Sequence, residues 1–152
     1  MAIRDRLTTG AFMYKVILHA TDLTDTHFPI SQRAAELAKS LGATLHLMHV
    51  IHPPTTMQIA QGLGFAEFDK PLTVEAEAVM QILGEALNVP QHCQIVEVGS
   101  IKYEILRHAK AIQCNLIIVG SHTPGELPAF LGSTAHAIVN HATCDVLTIQ
   151  AE

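Results

Sequence analysis

The feature that most narrows the folds open to this chain is the apolar run Leu116-Ile117-Ile118-Val119, which stops at Gly120. A strand with one wet face carries polar residues at alternate positions. A run that is apolar throughout reads as a strand buried on both faces, as in a parallel sheet covered by helices on either side. After Gly120 come Pro124, Gly125 and Pro128, a loop composition, and a helix is expected near Gly132-Ser133-Thr134. Small residues there leave the first helical N–H groups uncovered, with the positive end of the helix dipole behind them, which suits a phosphate or another anion. The plainer reading is that Ser133 or Thr134 caps the helix and Gly120 allows a sharp turn.

The rest of the chain repeats the strand and helix alternation. Tyr14 to Ala20 (YKVILHA) is predicted as strand one, running into Thr21-Asp22-Leu23-Thr24-Asp25, a turn rich in helix-capping side chains. From Pro29, the spacing of Ile30, Ala34, Leu37, Ala38 and Leu41 is that of an amphipathic helix, closed by Gly42. Thr44 to Ile51 is strand two, ended by Pro53-Pro54. The stretch Pro53 to Leu72 shows no sustained period and is expected to be a long loop, of the kind that serves as a lid or binding loop. Its Gly62-Leu63-Gly64 lacks the third glycine of a dinucleotide fingerprint and does not follow the first strand. A helix is expected from about Thr73, burying Ala76, Val79, Met80, Leu83 and Leu87.

Gln94 to Val98 is strand three, and Gly99-Ser100 leads a helix with Ile101, Ile105, Leu106 and Ala109 on one face. Leu116 to Val119 is strand four. The helix from Ser133 turns Ala137 and Ile138 inward and ends near Asn140-His141, and Asp145 to Gln150 is strand five. Five strands alternating with four helical patterns predict an α/β fold with a parallel sheet and right-handed crossovers. Ligands of such sheets bind beyond the carboxyl ends of the strands, where strand order reverses. The loops after strand one (Thr21, Asp22) and strand four (Gly120 onward) are the natural pair to share that crevice.

A length of 152 residues suits one domain with a proper core. The fold is expected over residues 13–152, with Met1 to Phe12 outside it as an extension, a tag remnant or an upstream start, because that leader has no period and Met13 follows it. A net charge of −5 without a basic run argues against nucleic acid or an anionic membrane surface as partner. The apolar runs fall short of the roughly 20 residues that cross a bilayer. Cys93, Cys114 and Cys144 form no CxxC pair and read as reduced thiols packed as small apolar groups in an intracellular protein.

Together, strand one ending in Thr21-Asp22, strand two ending in Met48-His49-Val50, the Val96-x-x-Gly99 step and the Gly120 loop leading to Gly132-Ser133 resemble the universal stress protein family. The resemblance covers Met13 to Gln150. It implies a Rossmann-like sheet of order 3-2-1-4-5, akin to the adenine nucleotide alpha hydrolase fold, a homodimer paired through strand five (Asp145 to Gln150), and a cytoplasmic role in stress tolerance. One branch of the family binds ATP through Gly, two residues, Gly, nine residues, Gly, then Ser or Thr. Gly120 matches the first glycine and Gly132-Ser133 the last pair, but Thr123 replaces the second glycine and eight residues separate it from Gly132. A β-branched threonine resists positive φ, and Pro124 removes an N–H donor. The second branch lacks the glycine motif and does not bind ATP readily, and this loop resembles it too. Carried over residue by residue, the ATP branch implies that Asp22 meets the ribose of ATP or AMP and Val50 holds adenine through its backbone, while Gly120, Ser133 and Thr134 contact ribose and phosphates, with Mg²⁺ accompanying them. Ala20, Thr21 and Gly132 stand beside these as further candidates for the same site, and His122 in the ligand loop is read either as a phosphate contact or as a solvent-exposed loop histidine.

The ten histidines raise a metal site, above all at His46, His49 and His52. Strand neighbours three apart face opposite sides, and His46 and His52 lie about 20 Å apart at ~3.3 Å per residue, so they cannot share one ion. There is no G-x-S-x-G elbow, no P-loop lysine and no identifiable acid–base partner for Asp22, so the sequence offers no catalytic constellation. Three functions stay open: a nucleotide-dependent signalling protein, an interaction protein without nucleotide that works with an unknown protein partner, and a slow ATPase or self-phosphorylating protein.

Overall fold

The computed structural model describes residues 13–65, 69–121 and 131–150, with backbone alone for 69–71. Five parallel strands, β1 (Val16–Ala20), β2 (Thr44–Ile51), β3 (Gln94–Val98), β4 (Leu116–Gly120) and β5 (Asp145–Ile149), form one sheet of order β3-β2-β1-β4-β5. Among the described residues five α-helices accompany it: α1 (Phe28–Leu41), α2 (Thr55–Gly62), α3 (Asp69–Leu87), α4 (Ile101–Ala111) and α5 (Ser133–His141). The chain builds outward from β1 through β2 to β3, then returns to the other side of β1 with β4. Strand order therefore reverses between β1 and β4.

The run of apolar residues in β4 is explained by two cores, one on each face. Ile17, Leu45, Leu47, Leu116 and Ile118 pack with Ile30 and Ala34 of α1 and Met80 of α3 on one side. Leu18, Met48, Val50, Ile117 and Val119 pack with Ile105 of α4 and Ile138 of α5 on the other. Adjacent residues of β1 and β4 thus serve opposite cores, as strand geometry requires. Ile17, Leu18, Ile117 and Ile118 are each fully buried, a contribution of roughly 1.5–3 kcal/mol per side chain. Gly42 closes α1 in the left-handed conformation (φ 64) without a Cβ penalty, and the Ala43 N–H donates to the Ala38 carbonyl at 2.9 Å, so Gly42 and Ala43 alone make the turn into β2.

The structure corrects the expected helix count from four to five. Residues 55–62, expected to be loop, form α2, and α3 begins at Asp69 rather than near Thr73. No residue of α2 is buried, so the helix lacks the apolar stripe that periodicity detects. Pro54, expected to end a strand, stands at its N-cap. Gly62 closes that helix and Gly64 (φ 93) turns the chain beyond it. On α3, Met80 and Leu83 are buried as expected, but Val79 is 40% exposed. On α5 the inward residues are Ala135 and Ile138, Ala137 being half-buried.

Candidate functional site

At the carboxyl end of β1 the backbone is held by local bonds. The Thr21 N–H donates to the Met48 carbonyl at 2.9 Å, and Thr21 Oγ1 accepts the Leu23 N–H at 3.1 Å. This turn puts Leu23 in the left-handed region (φ 60), a conformation that costs a branched side chain about 1 kcal/mol or more. Asp22 stands exposed beside it. Its Oδ1 accepts both the Thr24 N–H (2.9 Å) and the Thr24 hydroxyl (2.6 Å), while Oδ2 takes no hydrogen bond from the described residues. One carboxylate oxygen fixes the turn, and the other takes no partner among the described residues.

The opposite wall comes from β4 and α5. The Ser121 N–H donates to the Ile149 carbonyl at 2.9 Å, and the Gly132 N–H returns to the Ser121 carbonyl at 2.7 Å, so both ends of the intervening segment are fixed to the sheet. Gly132, not Ser133 or Thr134, is the N-cap of α5, and among the described residues no side chain caps the helix. Its first intrahelical bond is the His136 N–H to the Gly132 carbonyl at 2.9 Å. The N–H groups of Ser133, Thr134 and Ala135 precede that bond and have no helical acceptor, at the positive end of the helix dipole.

Between these walls lies a crevice of about 250 Å³. Met48, Val50, Val119, Ile101 and Ile105 make it apolar inside, and Thr21, Asp22, His27, His49 and Thr134 bring polar atoms to it. A wider groove of about 510 Å³ runs between α1 and the end of α3, but it adjoins the amino end of β2, away from the strand reversal.

Of the residues expected at the site, Ala20, Thr21, Asp22, Val50, Gly120, Gly132 and Thr134 all line the crevice. Ser133 is exposed at the first turn of α5 and does not line it. His122, together with Thr123 and Pro124, lies outside the described residues.

Two histidines that the sequence did not assign to the site also line it. His27 stacks on His19, with ring centroids 5.6 Å apart and planes 16° from parallel. His19 is completely buried, its Nδ1–H donating to the Ile118 carbonyl (3.0 Å) and its Nε2 accepting from the Ser31 hydroxyl (2.9 Å). Burial, and next the neighbouring His27, hold its pKa down to about 4, so it is neutral at pH 7. Burial lowers the pKa of His27 as well, against an upward pull from Asp22.

Gly120 is explained by this pair rather than by a turn. It is not among the residues with positive φ, and a Cβ there would stand 2.8 Å from His27 Nε2 and 3.2 Å from Ile30 Cδ1. His49 is oriented by donating from Nδ1 to the Thr21 carbonyl at 2.8 Å. His52 instead turns to the Gly99 carbonyl (3.3 Å). Among the described residues no three His, Cys, Asp or Glu side chains gather as metal ligands.

A doubly covered parallel sheet, with an apolar crevice at its strand reversal, an acidic turn on one side and an uncapped helix start on the other, defines an α/β protein of the ligand-crevice class. The profile of the Universal stress protein family matches residues 13–150. The chain is 38% identical over 145 residues to Universal stress protein A homolog 1 of Coxiella burnetii, covering 90% of this chain and 96% of the relative. Among solved structures, a hypothetical protein whose biochemical function was assigned from its structure superposes with TM-score 0.75 at 26% identity, over 92% of this chain and 98% of its own. A universal stress protein in complex with cAMP shares the fold at TM-score 0.66 and 16% identity, over 91% of this chain and 98% of its own. The chain belongs to the universal stress protein family.

Proposed function

We propose that the crevice between β1 and β4 binds an adenine nucleotide, ATP or AMP with Mg²⁺ beside its phosphates, and that the bound state is the signal of a cytoplasmic homodimer paired through β5. The observation that carries the reading is the pairing, across one apolar crevice, of Asp22 Oδ2 with the uncapped start of α5. A carboxylate suits ribose hydroxyls, and free helical N–H groups suit phosphate oxygens. The volume of about 250 Å³ is below the roughly 300–1,000 Å³ of pockets that enclose a whole ligand. It fits the nucleoside part, with the phosphates outside it over the first turn of α5.

His49 and Val50 both line this space, one with a polar ring and the other with an apolar wall. No described side chain is placed as a base toward an attacking water, so the reading is of binding rather than turnover. The edge of β5 beyond β4 supports the dimer, since an open edge presents unpaired backbone groups.

The test is the nucleotide content of freshly purified protein, followed by calorimetric titration of the emptied protein with ATP and Mg²⁺. Copurified nucleotide, or a micromolar dissociation constant near −8 kcal/mol, is the expected result. No heat and no thermal shift at millimolar ATP would sink it. Sedimentation as a monomer at micromolar concentration would remove the dimer.

A second reading rests on a separate observation. Ile59, Leu63 and Phe65, on α2 and just after it, are 60%, 73% and 60% exposed. Clustered apolar exposure of this kind suits a protein partner, and Thr123-Pro124 weakens the nucleotide loop. This is an interaction protein that works without nucleotide, and it is the reading left standing if titration shows no binding.

A further inference from the structure

Cys114 and Cys144 meet at the amino end of the sheet, opposite the crevice. Cys114 lies just before β4 and Cys144 immediately before β5, and the parallel register Leu116↔Asp145 brings the two approaches side by side. Their Sγ atoms are 3.7 Å apart, hydrogen-bonded as thiols and not joined as a disulfide. The backbone of Cys114 is fixed: its N–H donates to the Ala109 carbonyl at 2.9 Å after Gln113 in the left-handed region (φ 53), and the Asn115 N–H donates to the Val16 carbonyl at 2.8 Å. Cys114 is buried and Cys144 half-buried. Both line a groove of about 700 Å³ whose walls also carry Lys102, Lys110 and His141, so a small polar reagent reaches the pair from solvent. Cys93, by contrast, is buried in the core on the other face and is not hydrogen-bonded to another thiol among the described residues.

We infer that Cys114 and Cys144 form a reversible two-electron redox site, in which a hydroperoxide oxidises Cys144 and Cys114 resolves the product as an intramolecular disulfide. A disulfide of about 2.05 Å requires the sulfurs to close by less than 2 Å, within reach of a side-chain rotation at half-buried Cys144. The order follows from access and acidity. Burial, and next the adjacent Cys144 sulfur, push the Cys114 thiol up to about 12, which keeps it protonated at pH 7, whereas Cys144 is the more accessible sulfur.

In the first step the Cys144 sulfur attacks the distal peroxide oxygen. The O–O bond breaks, the alcohol (water, from hydrogen peroxide) leaves with the thiol proton, and Cys144 becomes a sulfenic acid. In the second the Cys114 sulfur attacks the Cys144 sulfur, the S–O bond breaks, and the departing hydroxide takes the Cys114 proton as water. Two thiols are oxidised by two electrons and one peroxide is reduced. An external thiol reverses the change by exchange through a mixed disulfide. The proposal does not depend on whether the crevice binds nucleotide.

The test is peptide mapping of the reduced wild-type protein after hydrogen peroxide and alkylation. Two of the three thiols should disappear with a mass loss of about 2 Da. A peptide joining Cys114 to Cys144 should form, and dithiothreitol should restore both thiols. Cys93→Ser should behave in the same way, and Cys114→Ser should accumulate a Cys144 sulfenic acid that dimedone traps. Three results would overturn the proposal: Cys144 passing to sulfinic acid in the wild type without the cross-link, a disulfide between two chains, or thiols unchanged at peroxide levels that oxidise free cysteine. The decisive mapping uses the wild type, so a poorly folded variant cannot obscure it.

Discussion

The two ends of the sheet are finished differently. At the amino end, Asn115 Oδ1 accepts the N–H groups of both Lys15 (2.9 Å) and Val16 (3.0 Å), and the Tyr14 hydroxyl donates to Asp145 Oδ2 (2.8 Å), so side chains tie three neighbouring strands together. At the carboxyl end, Asp22 Oδ2 and the first N–H groups of α5 take no partner among the described residues, and Asp22 and Thr134 border a crevice. The first end closes its polar groups on the chain itself, whereas among the described residues the second does not. Because the strands are parallel, all five carboxyl ends converge, and one end can specialise without cost to the other.

The comparison can be broken in four places. The largest effect is expected at the sealed base of the crevice. His19 titrates near 6.5 when unfolded and about 4 when folded, so its contribution is fully present above pH 6.5 and is lost as the pH falls from there through 4. The loss is on the order of 3 kcal/mol for His19, and burial lowers His27, His46 and His108 in the same direction. Urea unfolding at pH 7.5, 5.5 and 4.5 should show the fall, and His19→Asn should flatten it; a variant curve as steep as that of the wild type would contradict the assignment.

Next is Asn115→Ala, which strips the acceptor from two backbone donors at the amino end. It should cost about 2 kcal/mol in chemical denaturation and leave nucleotide affinity unchanged. Asp22→Asn should do the reverse. Its amide oxygen keeps the turn to Thr24, so stability should hold within about 0.5 kcal/mol, while calorimetry shows ATP binding weakened about tenfold. The smallest effect is Tyr14→Phe, which removes an exposed hydrogen bond and should lower stability by less than about 1 kcal/mol. The tyrosine itself should titrate above 10, because the hydrogen bond to Asp145 favours its neutral form.

Legibility followed burial. The strands and helices that face a core had a period to read, down to Ile30 and Ala34 on α1 and Ile105 on α4. α2 buries no residue fully and offered no such period. At the site, Asp22 and Thr21 could be placed because they stand at a strand end, and Gly120 was found for an incomplete reason. Its need for a missing side chain comes from His27, seven residues after Ala20 in a separate turn and brought back by stacking on His19. Contacts of that kind depend on three-dimensional approach and leave no local pattern. His49 was weighed as a metal ligand through its spacing from His46 and His52, whereas its bond to the Thr21 carbonyl depends on strand pairing.

The strand order also sets when in folding the crevice can exist. β1 and β2 are joined by a single helix, but β1 meets β4 only across a long separation, as the Val16 to Asn115 contact at 99 residues illustrates. Pairings of that range form late, because the entropy of closing so long a loop must be met before the contact is made. Met48 and Val50 belong to the early half, Gly120 and Thr134 to the late one. A chain released before β4 is complete can assemble β1 and β2 yet has no crevice, so ligand binding would report on a finished molecule.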